Sequence, residues 1–349
     1  MKKTLYLLVA VLLTVAPVGV IFGTNAPQPH KIERRAAFDI GSGQIKMQVS
    51  DVDITANKIV NVLLTDIATV KLRESLVKSL DGRLSSDIQN QTVEAIVQLL
   101  EKAAPFHPEA RHAVATETLR LAKNGEALAE RIKNEAGVPV TIISQEEEGI
   151  LGFISAVSIS GIDPVHAVSW DFGGASFQIT MKCDDHYMVY QGKLGKIPFK
   201  IALLQIQGRT DQTVSPNPIS KPQVTQALQF IKDTLKDVPA TLRQKLHRPD
   251  TIVLEVGINP LYGMLQNTDF NSLRLQQEIE SRVNLDDDAI MMKDSIAQEY
   301  KGVSAYVVSN LILALGIMQA LDISQVHYAG TQGANAVGVL LSPKYWETY

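Results

Sequence analysis

The feature that most limits the fold of this chain is a short pattern that occurs twice. Ala37-Phe38-Asp39-Ile40-Gly41-Ser42-Gly43 aligns with Ser169-Trp170-Asp171-Phe172-Gly173-Gly174-Ala175. Each copy runs aromatic, aspartate, apolar, glycine, then two small residues. Arg35 to Phe38 and Ile45 to Val49 read as strands around the first copy. Val165 to Trp170 and Ser176 to Met181 read as strands around the second. Strands flanking a glycine-rich turn predict a β-hairpin. The two aspartates lie 132 positions apart, about the length of one domain. A duplicated α/β unit, with one hairpin opening each half, is the simplest chain that carries both copies.

The remaining pattern fits such a unit. Apolar residues at Ile88, Val93, Ile96, Val97 and Leu100 have helical spacing, and Ser86 is the expected cap. Ala113 to Ala115 reads as a short strand ending in a Thr-rich turn that carries Arg120. A helix over Gly125 to Ala136 ends at Gly137, and a strand over Val138 to Ile143 precedes a helix from Gln145 to Ala156. Gly161-Ile162-Asp163-Pro164 is the best boundary, dividing the body into residues 27–162 and 163–349. Thr210 to Pro222 reads as a long loop. Helices are expected near Val224 to Leu235, Leu273 to Val283, Ala305 to Leu321 and Ala334 to Leu341, with a strand at Val326 to Tyr328. Alternating strands and helices of this length point to an α/β fold, and 349 residues suffice for two cores.

The N-terminus has a different character. Lys2 and Lys3 precede an apolar run from Leu5 to Phe22, which reads as an export signal within residues 1–26. Thr24 and Ala26 are small residues at signal-peptidase spacing, whereas Pro27 disfavours that cut. An uncleaved membrane anchor is the rival, because the run approaches the length of a span. Either reading places the body outside the cytoplasm, in the periplasm or on the inner membrane facing it. Cys183 is the only cysteine, so the chain can form no intramolecular disulfide or thiolate cluster. The net charge of −4 gives no general attraction to nucleic acid. A polyanion must therefore be held by a local basic or amide-rich site. A homodimer is carried as an expectation that no single residue fixes.

The paired hairpins suggest what such a site is. Small residues at Gly41, Ser42 and Gly43, and at Gly173, Gly174, Ala175 and Ser176, let an oxyanion approach bare backbone amides. Asp39 and Asp171, at the strand ends, suit a hydrated Mg²⁺. Two such turns facing one another would grip a phosphate chain across a cleft. Glu146, Glu147 and Glu148 open a helix behind the cap Ser144. Acids there suit the helix dipole, and one of them facing the cleft would serve as a general base. Arg120 suits either a surface ion pair or a phosphate clamp.

Together these residues resemble the exopolyphosphatase and guanosine pentaphosphate phosphatase family, from about Ala36 to Leu341. Phe38 to Ser42 looks like its first phosphate hairpin, and Asp171 to Ser176 its second. Ala115 to Arg120 with Ala122-Lys123-Asn124 looks like the motif whose arginine faces phosphate. Ile142 to Gly149 resembles the start of its catalytic helix, with Glu148 in register with the catalytic glutamate. The resemblance implies a two-domain actin-like ATPase and sugar-kinase fold built from duplicated ribonuclease-H-like domains. It also implies a Mg²⁺-dependent phosphoanhydride hydrolase acting on polyphosphate or a related compound. The chain departs from the family pattern at Gly43 and Gln44, at Ile150, and at Phe177 and Gln178, where a second acid is missing. It departs again at Ile258-Asn259-Pro260, and across Gly333 to Gly338, which lacks the expected basic residue. These departures leave a second class open: an exported protein of the same fold that binds a phosphorylated ligand, or serves envelope assembly, without turning it over.

Overall fold

A computed structural model describes residues 30–256, 269–298, 301–330 and 334–346. The N-terminal signal, Ile258-Asn259-Pro260 and Gly333 lie outside the described residues. The first half runs β1 (Ile32–Ile40), β2 (Gln44–Asp53), β3 (Lys58–Thr69), α1 (Leu72–Lys78), α2 (Ser86–Ala103), β4 (Ala110–Ala115), α3 (Glu117–Leu121), α4 (Gly125–Ala136), β5 (Val140–Ile142) and α5 (Gln145–Ser160). The second runs β6 (Ala167–Phe172), β7 (Phe177–Cys183), β8 (His186–Gly192), α6 (Lys196–Ile206), α7 (Lys221–Thr234), α8 (Ala240–Leu246), β9 (Ile252–Val256), β10 (Phe270–Asn271), α9 (Ser272–Glu280), α10 (Asp287–Lys293), α11 (Lys301–Leu321), β11 (Gln325–Tyr328) and α12 (Ala334–Leu341).

The two sheets share one topology. The first has the order β3-β2-β1-β4-β5, and the second β10-β11-β9-β6-β7-β8. In each, three antiparallel strands open the unit and the first of them pairs in parallel with the fourth. The last six residues of β1 are all buried because side chains alternate between two faces and both faces are covered. Ala36, Phe38 and Ile40 enter a core shared with α2 and α4, and Ala37 enters a second core shared with α5 and α12. Asp39 shares the face of Ala37. In β6, Val168, Trp170 and Phe172 enter the large core around α11, while Ala167 enters the opposite one with Phe153 of α5. Asp171 therefore points to the same side, and both aspartates face α5.

Helix α5 closes the first half in sequence but packs on the second sheet. Two glycines allow that approach. A Cβ at Gly149 would lie 2.6 Å from Val189 and 2.7 Å from Thr180, and one at Gly152 would lie 3.6 Å from Asp171. Conversely, α12 crosses back to cover β1 of the first sheet. Arg35 fastens it there, donating to the Leu340 carbonyl at 2.9 Å while its guanidinium lies 4.6 Å over the Trp346 ring. A Cβ at Gly338 would meet the Leu151 carbonyl oxygen at 2.4 Å, so α12 and α5 touch backbone to backbone.

Several expected boundaries shift. Ser85, in extended conformation, caps α2 in place of Ser86, its hydroxyl accepting from the Ile88 amide. The Thr-rich turn after β4 is the short helix α3, with Arg120 in its last turn. Helix α5 continues to Ser160, where Gly161 at φ 68° ends it. Ser144 caps α5 as expected, accepting from the Glu147 amide at 3.1 Å.

Candidate active site

The two hairpin turns meet across a cleft of about 310 Å³. Asp39, Gly41, Ser42 and Gly43 line one wall, and Asp171 with Gly173 to Ser176 the other, with Glu148 between them. The turns come so close that a Cβ on Gly174 would lie 3.6 Å from the Ser42 Cβ. Both turns are built alike. Behind the first, the carbonyls of Ser42 and Gly43 accept from the amides of Arg73 (2.8 Å) and Val70 (3.1 Å). Behind the second, those of Gly173, Gly174 and Ala175 accept from Lys196 (3.2 Å), Ile197 (2.8 Å) and Gly195 (3.3 Å). The carbonyls are thus held from the rear. Among the described residues the amides of Ser42, Gly43, Gly174 and Ala175 make no hydrogen bond, which is the donor array an oxyanion needs.

The charges on the cleft floor are crowded. Lys46 Nζ lies 3.5 Å from Asp39 Oδ2, and the buried Asp39 Oδ1 has no partner among the described residues. Burial raises the Asp171 carboxyl to about 6, Lys46 opposing the shift and Asp39 adding to it. Burial and the Asp171 charge push Glu148 up to about 8, against the pull of Arg120. Burial lowers the Lys196 ammonium to about 8, with repulsion from Lys46 acting in the same sense. Five carboxylates line the cleft, those of Asp39, Glu74, Glu117, Glu148 and Asp171, against the ammonium groups of Lys46 and Lys196. Among the described residues no three His, Cys, Asp or Glu side chains cluster closely enough to form a protein-only metal cage.

The three glutamates of α5 separate by environment. Glu146 is exposed, Glu147 bonds Lys344 and the Tyr345 hydroxyl, and Glu148 is buried at the cleft. Arg120 is not among the residues lining the cleft. Its guanidinium donates to the Ile143 carbonyl and stands 3.4 Å from Glu148 Oε2. The ion pair is with the glutamate itself. Sequence reasoning overlooked Lys46, Lys196 and Glu255. Lys46 was open to it, because a hairpin turning at Gly41 to Gly43 places that lysine directly across from Asp39. Glu255 carried a weaker signal, a lone acid in the apolar strand β9, where it is 1% exposed and raised to about 8 by burial.

Two sheets that share a five-strand topology, with their first hairpins facing across a cleft and helices exchanged between them, define a two-domain α/β protein of actin-like fold. Residues 51–342 match the Ppx/GppA phosphatase family, and the chain belongs to that family. A guanosine-5'-triphosphate,3'-diphosphate pyrophosphatase of Pseudoalteromonas atlantica is 27% identical over 168 residues, 47% of this chain and 31% of that protein. The match thus spans about a third of that relative's length. A solved Ppx/GppA family member from Aquifex aeolicus superposes with a TM-score of 0.68 at 17% identity, covering 91% of this chain and all of that one. An exopolyphosphatase from Cytophaga hutchinsonii superposes with a TM-score of 0.68 at 13% identity, covering 88% and 98%. At these identities the likeness to the solved structures is one of fold.

Proposed function

We propose that this chain hydrolyses a phosphoanhydride bond of polyphosphate or a guanosine polyphosphate. The observation that carries the reading is the pair of facing turns with free amides and one buried carboxylate, Glu148, between them. Amides of Ser42, Gly43, Gly174 and Ala175 hold phosphate oxygens. Glu148 accepts a proton from the attacking water, and Arg120, bound to that carboxylate, favours its ionised form.

The residues fit a divalent cation in one respect. The acid excess of the lining and the orphaned Asp39 Oδ1 repel a bare polyanion and suit a cation brought with it. Mg²⁺ is commonly held by one or two carboxylates plus waters and phosphate oxygens, and Asp39 and Asp171 would supply the carboxylates. Such an ion neutralises phosphate charge. Phosphate release from polyphosphate, measured with and without Mg²⁺, tests the hydrolase reading.

One observation favours the second reading, a phospholigand-binding protein without turnover. A carboxyl raised to about 8 holds its proton at neutral pH and is then no base. Saturable binding of polyphosphate with no phosphate released at any pH from 6 to about 9 would establish that reading instead. The basic start and apolar run of residues 2–22 support export of the body. A reporter enzyme that works only outside the cytoplasm, fused at Tyr349, is expected to be active; an expressed but inactive fusion refutes export.

A further inference from the structure

Helix α6 begins against the back of the second hairpin turn. Its first amides, those of Lys196 and Ile197, bond the carbonyls of Gly173 and Gly174, and the amide of its cap Gly195 bonds that of Ala175. The contact is tight enough that a Cβ at Gly195 would lie 2.5 Å from the Ala175 carbonyl carbon. The start of the helix is therefore fixed relative to the turn, and so is the root of the Lys196 side chain. That side chain lines the cleft. Among the described residues its ammonium makes no hydrogen bond and no ion pair. It stands over the Phe172 ring, 5.6 Å from the ring centroid. Its three donors are therefore open to a ligand in the cleft.

The surrounding charges indicate which ligand. Lys46 reaches into the same cleft from the first hairpin and acts on Lys196 as a like charge, while Asp171 and Glu255 act on it as opposite charges. Two ammonium groups converging from opposite walls, with the free amides of both turns beside them, suit one tetrahedral dianion. They do not suit a sugar or a neutral base. We propose that Lys196 binds the phosphoryl group held between the two turns, as the cation the second lobe contributes to the ligand. The assignment rests on the phosphate-binding reading of the cleft. It gives α6 a function that neither the repeat nor the hairpins account for. The first hairpin carries its cation on its own second strand, at Lys46. The second hairpin has Gln178 at that position and takes its cation from the helix behind it.

Calorimetric titration with tripolyphosphate tests this on the full chain. Lys196→Met keeps most of the length of the side chain and removes the charge. It is expected to weaken binding by about 10- to 100-fold, the usual loss for a charge-assisted contact, and Lys196→Arg to recover most of that loss. Thermal denaturation of each variant separates a ligand contact from a packing role. A lysine that only supported the fold would lower Tm and leave the affinity of the folded fraction unchanged. A second measurement needs no variant. Tripolyphosphate should protect Lys196 of the parent protein from a small amine-acetylating reagent, read by peptide mass spectrometry. If the parent binds tripolyphosphate while Lys196→Met binds it equally well, or Lys196 is acetylated at an unchanged rate, the assignment falls and the cleft reading stands. If the parent binds neither tripolyphosphate nor polyphosphate, both fall.

Discussion

The two hairpins share a backbone but carry different charges. In each, an aspartate near the end of the first strand faces a partner across the ladder: Asp39 faces Lys46, and Asp171 faces Gln178. Lys46 sets an ammonium 3.5 Å from its aspartate. Gln178 instead turns its amide to the Ser176 hydroxyl at 3.3 Å. Asp171 is thereby left without a cross-strand cation, and burial raises it to about 6. The turns differ sterically too. A Cβ on Gly173 would lie 2.5 Å from the Ser176 carbonyl oxygen, whereas one on its counterpart Gly41 would lie 3.2 Å from that of Gln44. Duplication preserved the donor array and let the charges diverge. The first hairpin balances its own carboxylate, and the second depends on α6 and on what enters the cleft.

The largest expected effect belongs to the group that serves both hairpins. Glu148→Gln should lower phosphate release by about 10²–10⁴-fold while leaving ligand affinity nearly unchanged. An equal loss in both would mean the glutamate only helps to hold the ligand. Next come the two turns themselves. Gly173→Ala should destabilise the protein by about 1–3 kcal/mol, because backbone must move, and Gly41→Ala by about 0.5–1 kcal/mol, because the Gln44 carbonyl need shift only a little. Chemical denaturation of the pair would reveal equal costs if the turns were sterically equivalent. A smaller effect is expected from making the hairpins alike in charge. Lys46→Gln should weaken tripolyphosphate binding about tenfold, a typical loss for one charge-assisted bond. An unchanged Kd would show that Lys46 serves only Asp39.

The smallest effect is on stability against pH. The folded state raises Asp171, Glu148 and Glu255 above their unfolded values, so it holds more protons than the unfolded chain from about pH 4.5 to about pH 8. Stability of the ligand-free protein should therefore fall as pH rises through that window. Lys196, lowered to about 8, acts with the opposite sign above about pH 8, where the folded state holds fewer protons. Thermal melts should show a minimum near that pH, and Glu148→Gln should flatten the acid-side slope. Each kcal/mol lost corresponds to roughly 2–4 °C in Tm for a protein of this order of size. A Tm that climbs steadily from pH 5 to about 8 would contradict the burial of these carboxyls.

The elements that sequence reasoning located are those whose local signals agree with their surroundings. Both hairpins, the Ser144 cap and the Gly137 helix stop declare themselves within a few residues. Helix α6 does not, because Gly195 and Pro198 look like breakers. Pro198 lies in the first turn, where a missing amide costs nothing, and Gly195 is the cap. Strand β3 escaped because it is an edge strand whose mixed exposure blurs the alternation. Within the site, the capped helix offered three glutamates, and only the family resemblance singled out Glu148. Lys196 depends on how α6 docks against a turn twenty residues earlier in the chain, and no local pattern encodes that.

The exchange of α5 and α12 also bears on the order in which the molecule can be made. Synthesis proceeds from the N-terminus, and the strands of the first sheet exist once Ile142 has emerged. One face of that sheet nonetheless stays bare until residues 334–341 arrive, because the helix that covers β1 is nearly the last element of the chain. Helix α5 must meanwhile wait for β6 to β9 to give it a surface. Neither half can finish before the other has begun, so contacts distant in sequence dominate closure and folding is slow relative to a helical bundle of equal size. The nascent first half presents Ala37, Val52 and Val114 to solvent throughout that interval. A ribosome-stalled chain ending before α12 should be cut readily by protease, whereas the released full-length chain should resist.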